Sequence, residues 1–334
     1  MLDFGLFLCY NFMDYGLLRP IWEMDGTYMA EVAVIMASYN GAKYIGEQIE
    51  SILGNSFDDI ELHVCDDGST DETEEIVNTY VEKNPGKVFF HKNKENLGVI
   101  RNFLEGMKCA DCPYYMFSDQ DDVWEKDKIL HTLERMKQEE NKNVNIPIAV
   151  FGDAYMVDAN LKSMNSTFQK TSNVNPTNTK LSHLVVENTV IGCTLMINAG
   201  LKELVRNTSL QIKMHDWWLA LIATSMGKLV YLDEPLLKFR QHENNTLGAK
   251  SELAYATENV GKLKKIRDSV HESCFQAEAF LSCYGDKLTE EQRKIFSYFA
   301  EIPKLNWFAR KYRIVHGKYF KTGLLKNFAL LLII

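Results

Sequence analysis

Three short apolar runs, each closed by a polar or acidic cluster, constrain this chain more than any other feature. Residues 32–37 form a Val/Ile-rich run followed by Ser38-Tyr39-Asn40. Residues 60–65 lead into Asp66-Asp67-Gly68-Ser69-Thr70-Asp71, and residues 114–117 lead into Ser118-Asp119-Gln120-Asp121-Asp122-Val123-Trp124. Apolar runs of this length without alternation read as strands buried on both faces. The stretches between them carry helical spacing. Ile45, Ile49 and Ile52 share one side of residues 43–53. Ser69 or Thr70 is placed to cap a following helix whose first turn holds Glu72, Glu74 and Glu75, where the helix dipole favours acids. A third short strand is expected over 87–91 and a third helix over 97–108. Strands alternating with helices at this spacing predict βαβ units: an α/β, Rossmann-like fold with a mainly parallel sheet flanked by helices. Ligands on such sheets bind beyond the carboxyl ends of the strands, and the three clusters converge there.

Further along, residues 148–151, 190–197 and 229–232 read as strands. The Thr/Asn-rich stretch 167–180 reads as a loop over the site, and 215–226 as an apolar helix opened by His215-Asp216. Beyond about Gly248 the pattern is helical, with Lys and Glu on the polar face. The expected organisation is therefore a catalytic domain over 29–248 and a helical C-terminal region over 249–334. Residues 1–28 are apolar but interrupted by Asp3 and Asp14, with no basic region ahead of them, which argues against a secretory signal. They read as a loose extension, or as the product of a start codon assigned too early, with Met24 or Met29 as the true start.

A formal net charge of −8 argues against a general nucleic-acid binder. Seven scattered cysteines make a disulfide framework an unsuitable reading. Cys109-Ala-Asp-Cys112 has the spacing of a zinc knuckle or a redox pair, but no second pair follows, and two ordinary thiols are the expectation. No apolar run reaches the length of a membrane span. A cytoplasmic enzyme is the default.

The acidic loop places three carboxylates within the four residues 119–122 at a strand end. Like charges at that density repel unless a cation or solvent intervenes, and hard ions such as Mg²⁺ or Mn²⁺ are the natural partners of oxygen ligands. A solvated turn capping a helix from Glu125 is the plainer alternative. A calcium EF-hand loop from Asp119 fails, because its sixth and twelfth places hold Trp124 and Leu130 rather than Gly and Glu. Asp119-Gln120-Asp121-Asp122-Val123 does fit the motif of the haloacid dehalogenase phosphatases. In that family, however, the motif follows the first strand, and the Asp66-Asp67 cluster would have no role.

Taken in order, the clusters resemble glycosyltransferase family 2, the inverting enzymes with a GT-A fold. The resemblance spans roughly residues 32–248. It rests on 37–41 (Ala-Ser-Tyr-Asn-Gly), 66–71, Asn96-Leu97-Gly98, 118–124, His215-Asp216-Trp217-Trp218 and Arg240-Gln241-His242. The forms at 118–124 and 215–218, together with Arg-Gln-His-x-x-Asn-Thr from Arg240, look most like bacterial rhamnosyltransferases. The resemblance implies that Asp66 or Asp67 hydrogen-bonds a pyrimidine ring, that the backbone of Ser38, Tyr39 and Asn40 lines the base pocket, and that Asp119 reaches the ribose. It implies further that Asp121, completed by His242, holds Mg²⁺ or Mn²⁺ against the diphosphate, and that Asp216 is the general base. Trp217 and Trp218 would give that base an apolar setting. Asn96, Gly98 and Gly192 receive donor-binding or pocket-shaping roles by resemblance alone, and Asp122 receives none. Read without the resemblance, Asp216 is a helix cap and His242 a surface histidine. The implied donor is dTDP-rhamnose, or else a UDP-sugar, and the implied acceptor is a saccharide or lipid-linked saccharide of cell-surface polysaccharide synthesis. A haloacid-dehalogenase-type phosphatase is the runner-up, and a non-catalytic nucleotide-sugar-binding partner is the other alternative.

Residues 304–334 hold seven Lys or Arg and no acid, interleaved with aromatics and ending in an apolar run. Such a tail suits a helix lying on an anionic membrane, at the inner face of the cell membrane, or one packing on the protein itself.

Overall fold

A computed structural model describes residues 29–205, 212–243 and 260–334. The 1–28 extension and Asn245-Thr246 lie outside the described residues. The first half is built as its pattern predicts. Strands β1 (Val32–Ser38), β2 (Ile60–Asp66), β3 (Val88–Lys92) and β4 (Tyr114–Asp119) run parallel in the order β3-β2-β1-β4. β1 lies at the centre of this half, and Val32 to Met36 are all fully buried, which is why its run is apolar without alternation. Ala33 and Ile35 face one side of the sheet, and Val32, Val34 and Met36 face the other.

Each side is covered by helices. Helix α1 (Ile45–Leu53) buries Ile45, Ile49 and Ile52 against one side, beside α2 (Thr73–Lys83) and α4 (Lys128–Lys142). α3 (Val99–Gly106) buries Phe103 against the opposite side. The α2 start corrects the sequence expectation: neither Ser69 nor Thr70 caps it, and the Thr73 N–H instead donates to Asp71 Oδ1 at 3.2 Å.

The second half is mixed and departs further from the sequence reading. It comprises β5 (Val123–Trp124), β6 (Ile148–Asp158), β7 (Ser163–Thr167), β8 (Met196–Asn198) and β9 (Lys228–Gln241), continuing the order β4-β8-β6-β9-β5, with β7 on β6. The strand expected over 190–197 shrinks to three residues, because a 3-10 turn at Gly192–Thr194 precedes it. The expected loop over 167–180 contains the end of β7 and helix α5 (Phe168–Ser172). It is followed by α6 (Leu181–Leu184), α7 (Ala199–Val205) and α8 (His215–Met226). The run expected over 229–232 is the start of a 14-residue strand. Pro235 within it has no N–H for the ladder, and the β6–β9 register shifts on both sides of the Asp153–Pro235 pair. Beyond that irregularity β9 continues and pairs antiparallel with β5 through Val123–Lys238 and Trp124–Leu237. This extension carries residues 240–242 to the acidic loop.

The C-terminal helices Val260–Tyr284, Glu290–Ala300, Trp307–His316 and Leu324–Ile333 contribute to the core that buries α8. Trp218 of α8 meets Phe280 edge-on at 5.1 Å. The chain then straps back over the catalytic half. The Thr322 N–H donates to Glu187 (2.6 Å), and Lys326 Nζ donates to the carbonyls of Ser172 (2.9 Å) and Asn173 (2.7 Å) and pairs with Glu187. No helix among the described residues is long and apolar enough to cross a membrane.

Candidate active site

The predicted clusters meet at the carboxyl ends of β1, β2 and β4, but their acids are held in different ways. Asp66 is fully buried. Its Oδ1 accepts from the Gly68 (3.2 Å) and Ser69 (2.9 Å) N–H groups, and its Oδ2 accepts from the hydroxyls of Ser38 (3.1 Å) and Ser69. A carboxylate offers about four acceptor positions, so Asp66 is filled by its own loop. Asp67 accepts from Asn93 Nδ2 (2.9 Å) and the Leu97 N–H (2.7 Å) on Oδ1, and from the Gly98 N–H (2.8 Å) on Oδ2. Among the described residues, Oδ2 accepts this one bond, where a carboxylate oxygen has room for about two. Gly98 adopts φ 77°, where a side chain would be strained, and this turn aims its N–H at Asp67. Asn96 contributes through Nδ2, which donates to the Asp67 carbonyl at 3.0 Å. Thus Asn96 and Gly98 shape the loop around Asp67.

Along the rim, Asn40 sits at φ 49°, and its Oδ1 accepts from the Thr70 N–H at 2.9 Å. The Tyr39 ring is half exposed, and its backbone makes a reciprocal pair with the Gln120 amide: N–H to Oε1 at 2.9 Å, carbonyl from Nε2 at 3.1 Å. Gln120, which the sequence reading left without a role, therefore joins the first cluster to the acidic loop.

The acidic loop itself is short of donors. Asp121 Oδ2 lies 2.6 Å from His242 Nε2, a contact between residues 121 apart in sequence. Both side chains remain partly open to solvent, at 15% and 13% exposure. Arg240 braces the pair from behind. Its Nε donates to the Asp121 carbonyl (2.7 Å), its Nη1 to the Ala159 carbonyl (2.8 Å), and its Nη2 pairs with Glu47. Gln48 supports the loop from beneath once its amide is oriented by its neighbours: the oxygen accepts from Trp124 Nε1 (3.0 Å) and the nitrogen donates to the Asp122 carbonyl (2.7 Å).

Asp122 corrects the idea of a solvated turn, because it is 1% exposed. Its Oδ1 accepts from the Arg240 N–H at 3.2 Å, while Oδ2 is buried without a hydrogen-bond partner. Burial, then Asp121 and Asp119, push its pKa well up. Asp119, Asp122 and Cys193 each offer a ligand atom within 4.8 Å of the others. Burial, Asp121 and Asp216 together push Asp119 up to about 7. An acid-rich site with an orphaned carboxylate oxygen suits a divalent cation, so the residues present fit such an ion. Below lies Lys128, which opens α4 where the sequence placed a helix start at Glu125. Its Nζ is buried, 3.8 Å from the centre of the Trp124 ring, and burial brings it down to about 7.

Asp216 lies in the first turn of α8, 6% exposed. It does accept from the Trp217 N–H (2.6 Å), as a cap would, but its Oδ1 is shared with Asn188 Nδ2 at 3.2 Å. Burial raises its pKa to about 6, against the lowering effect of those bonds and of the Gly192 backbone. Trp217 and Trp218, which follow it, are buried, with Trp217 Nε1 donating to the Leu184 carbonyl (2.6 Å) and Trp218 against Phe280 and Tyr284. Gly192 packs directly on this turn: a Cβ there would lie 3.0 Å from His215 Nε2 and 3.5 Å from Asp216 Cβ. His215 stacks on Phe103 at 4.1 Å, and burial lowers it to about 3, keeping it neutral. Asn188 was not legible from the sequence, since it lies in an irregular segment with no motif. The segment before it is pinned by the C-terminal strap through Glu187.

Comparison with known proteins agrees with this architecture. The family model described as Glycosyl transferase family 2 matches residues 33–199. The dTDP-rhamnosyl transferase RfbG of Shigella flexneri is 29% identical over 226 residues, 64% of this chain and 74% of that protein. An uncharacterized glycosyltransferase of Rickettsia typhi is 28% identical over 314 residues, 87% of this chain and 94% of its own. Among solved structures, residues 1–349 of S. aureus TarS in complex with UDP superimpose with a TM-score of 0.50 at 15% identity, covering 90% of each chain. That likeness shows the GT-A fold.

Proposed function

We propose, from the premise that the chain belongs to glycosyl transferase family 2, that it performs inverting transfer of a sugar from a nucleotide-diphosphate donor to a saccharide or lipid-linked saccharide acceptor in cell-surface polysaccharide synthesis. The dehalogenase alternative falls with that membership. The observation that carries the reading is the acid set around one cleft: Asp121 joined to His242 at 2.6 Å, and buried Asp216 close enough to raise Asp119.

In this reading Asp67, whose Oδ2 has room for a further bond, accepts the ring N–H of the base, while filled Asp66 holds the loop. Thymine and uracil present the same N–H, so Asp67 alone does not select between them. Asp119 meets the ribose. Asp121 and His242 would hold Mg²⁺ or Mn²⁺, which when bound offsets charge on the departing diphosphate. Asp216 takes the proton of the acceptor hydroxyl. A pKa near 6 makes it a stronger base than an ordinary carboxylate while leaving it ionised at neutral pH. Attack from its side, with diphosphate leaving from the other, inverts the anomeric carbon. Rhamnose is the favoured sugar, supported by the similarity to the S. flexneri enzyme.

The tail divides its labour. Lys326 is turned inward, Lys321 is half-buried, and Lys304 and Arg313 pair with Glu278 and Glu301, so part of the positive charge is already engaged within the protein. Trp307, Phe308, Tyr312, Leu324, Phe328 and Leu332 nevertheless stand exposed, and we assign them to contact with a membrane surface near a lipid-linked acceptor. Cosedimentation with anionic vesicles tests this, and equal recovery with and without vesicles would refute it.

A donor screen by thermal shift tests the main reading. Metal-dependent stabilisation by dTDP-rhamnose above UDP-sugars is expected; no stabilisation by any nucleotide sugar would overturn it. Donor binding without turnover across an acceptor panel would instead favour a non-catalytic partner.

A further inference from the structure

Asp216 is held by a segment that carries no motif. Residues 187–190 run irregularly between α6 and the 3-10 turn at Gly192–Thr194. Within this segment the Asn188 side chain is fixed at both ends. Its Oδ1 accepts from the Val190 N–H at 3.1 Å, and its Nδ2 donates to Asp216 Oδ1 at 3.2 Å. The first bond decides the second. With its oxygen engaged by an N–H, the amide presents its nitrogen to the carboxylate, and a flipped amide would set oxygen against oxygen and N–H against N–H. Asp216 Oδ1 also accepts from the Trp217 N–H at 2.6 Å. One donor comes from α8 and the other from a residue 28 positions earlier, so together they fix the rotation of the carboxyl group.

The segment is itself anchored on either side of Asn188. Buried Gln169 of α5 donates through Nε2 to the Thr189 carbonyl at 3.0 Å. Buried Glu187 is held by the C-terminal strap over residues 320–326: its Oε2 accepts from the Thr322 N–H at 2.6 Å, and its Oε1 pairs with Lys326 Nζ at 3.2 Å. His183 joins the same contact, with Nδ1 donating to the Phe320 carbonyl (2.6 Å) and Nε2 lying 3.5 Å from Glu187 Oε2. The strap also fastens residues 172–175, where Thr322 Oγ1 accepts from the Asn175 N–H at 3.0 Å. Removing one partner of a buried ion pair leaves the other charge uncompensated, so strap and segment are held together as a unit.

We propose that Asn188 is a positioning residue for the base and that the C-terminal strap sets it through Glu187, so that residues 320–326 act on the reaction without touching substrate. The inference rests on Asp216 being the base. An acceptor hydroxyl must meet a carboxylate oxygen within hydrogen-bond reach as it attacks, so a rotated carboxyl group lowers rate rather than donor affinity. The Asn188 N–H also favours the ionised carboxylate, against the effect of burial. Asp119 is the other acid close enough to interact with Asp216, and the neighbouring His215 ring is neutral.

The test compares Asn188→Asp, Lys326→Met and the double variant in the full-length chain, with Asp216→Asn as the control for the base. Rates are read as release of dTDP from dTDP-rhamnose with an acceptor panel present, beside unfolding curves. Asp at position 188 keeps an oxygen for the Val190 N–H but turns an acceptor toward Asp216. In that variant kcat should fall about tenfold with donor KM within about twofold of wild type, and the acid limb of kcat/KM should move up by about one pH unit. Lys326→Met should lower kcat about threefold in the wild-type background and change it little in Asn188→Asp, because both act through one side chain. If Asn188→Asp does not fold, Asn188→Ala carries the same expected rise of the acid limb. An unmoved acid limb, or an equal effect of Lys326→Met in both backgrounds, would overturn the proposal. Full transfer by Asp216→Asn would instead remove the base assignment, and this inference with it.

Discussion

The loop after β2 and the loop after β4 both carry aspartates at the carboxyl ends of parallel strands, yet they treat those aspartates in opposite ways. At the end of β2, Asp66 and Asp67 accept seven hydrogen bonds through their side chains from backbone and polar neighbours. Asp119 at the end of β4 and buried Asp122 after it are held by fewer donors among the described residues, and burial raises both; buried Asp216 of α8 is raised too, in spite of the bonds it accepts. An acid surrounded by N–H groups organises a loop. An acid deprived of them awaits a proton or a cation. Residue type does not separate these roles; the balance of donors against burial does.

That contrast can be broken experimentally. The largest effect should come from Asp216→Asn, which removes the proposed base and should lower the turnover rate by about 10³-fold while leaving the fold within about 1 kcal/mol of wild type. Steady-state kinetics beside a denaturation curve measure both, and full transfer by this variant would sink the assignment. Asp66→Asn should do the reverse. Its amide nitrogen would face donors, leaving buried groups unpaired, and should cost about 3 kcal/mol or more in stability. If its midpoint of unfolding is unchanged, the loop-holding role is wrong.

The pH dependence sharpens the same point. Asp216 must be ionised to accept a proton, and its pKa is raised, so kcat/KM should fall as pH drops through about 6 rather than near 4. For stability the sign is opposite to that of an acid held by donors. A raised carboxylate favours the folded state when protonated, so this contribution is present below its ordinary pKa and is lost as pH rises through about 6. The smallest effect is expected from Gly192→Ala. Its methyl would press on His215 at 3.0 Å, and a repacking cost of about 1 kcal/mol with a severalfold loss of rate should follow. Wild-type kinetics in this variant would show that the turn is looser than its packing implies.

Some of this was legible in the chain before any fold. Buried parallel strands announce themselves as unbroken apolar runs, so β1, β2 and β4, the clusters that end them, and the α/β class followed from local pattern alone. The pairing of Asp121 with His242 was implied only by resemblance, since nothing in residues 229–232 signals a strand that continues past Pro235 to Gln241. Tertiary structure decided that extension, and with it the position of Arg240 behind the acidic loop. It likewise decided that Asn188 meets Asp216, that Asp122 is buried with Oδ2 lacking a hydrogen-bond partner, and that the Cys112 thiol faces Glu61. The physical reason is common to all four. Periodicity records which face of an element is buried, whereas the partner across a cleft depends on strand register and helix placement set by the whole packed core.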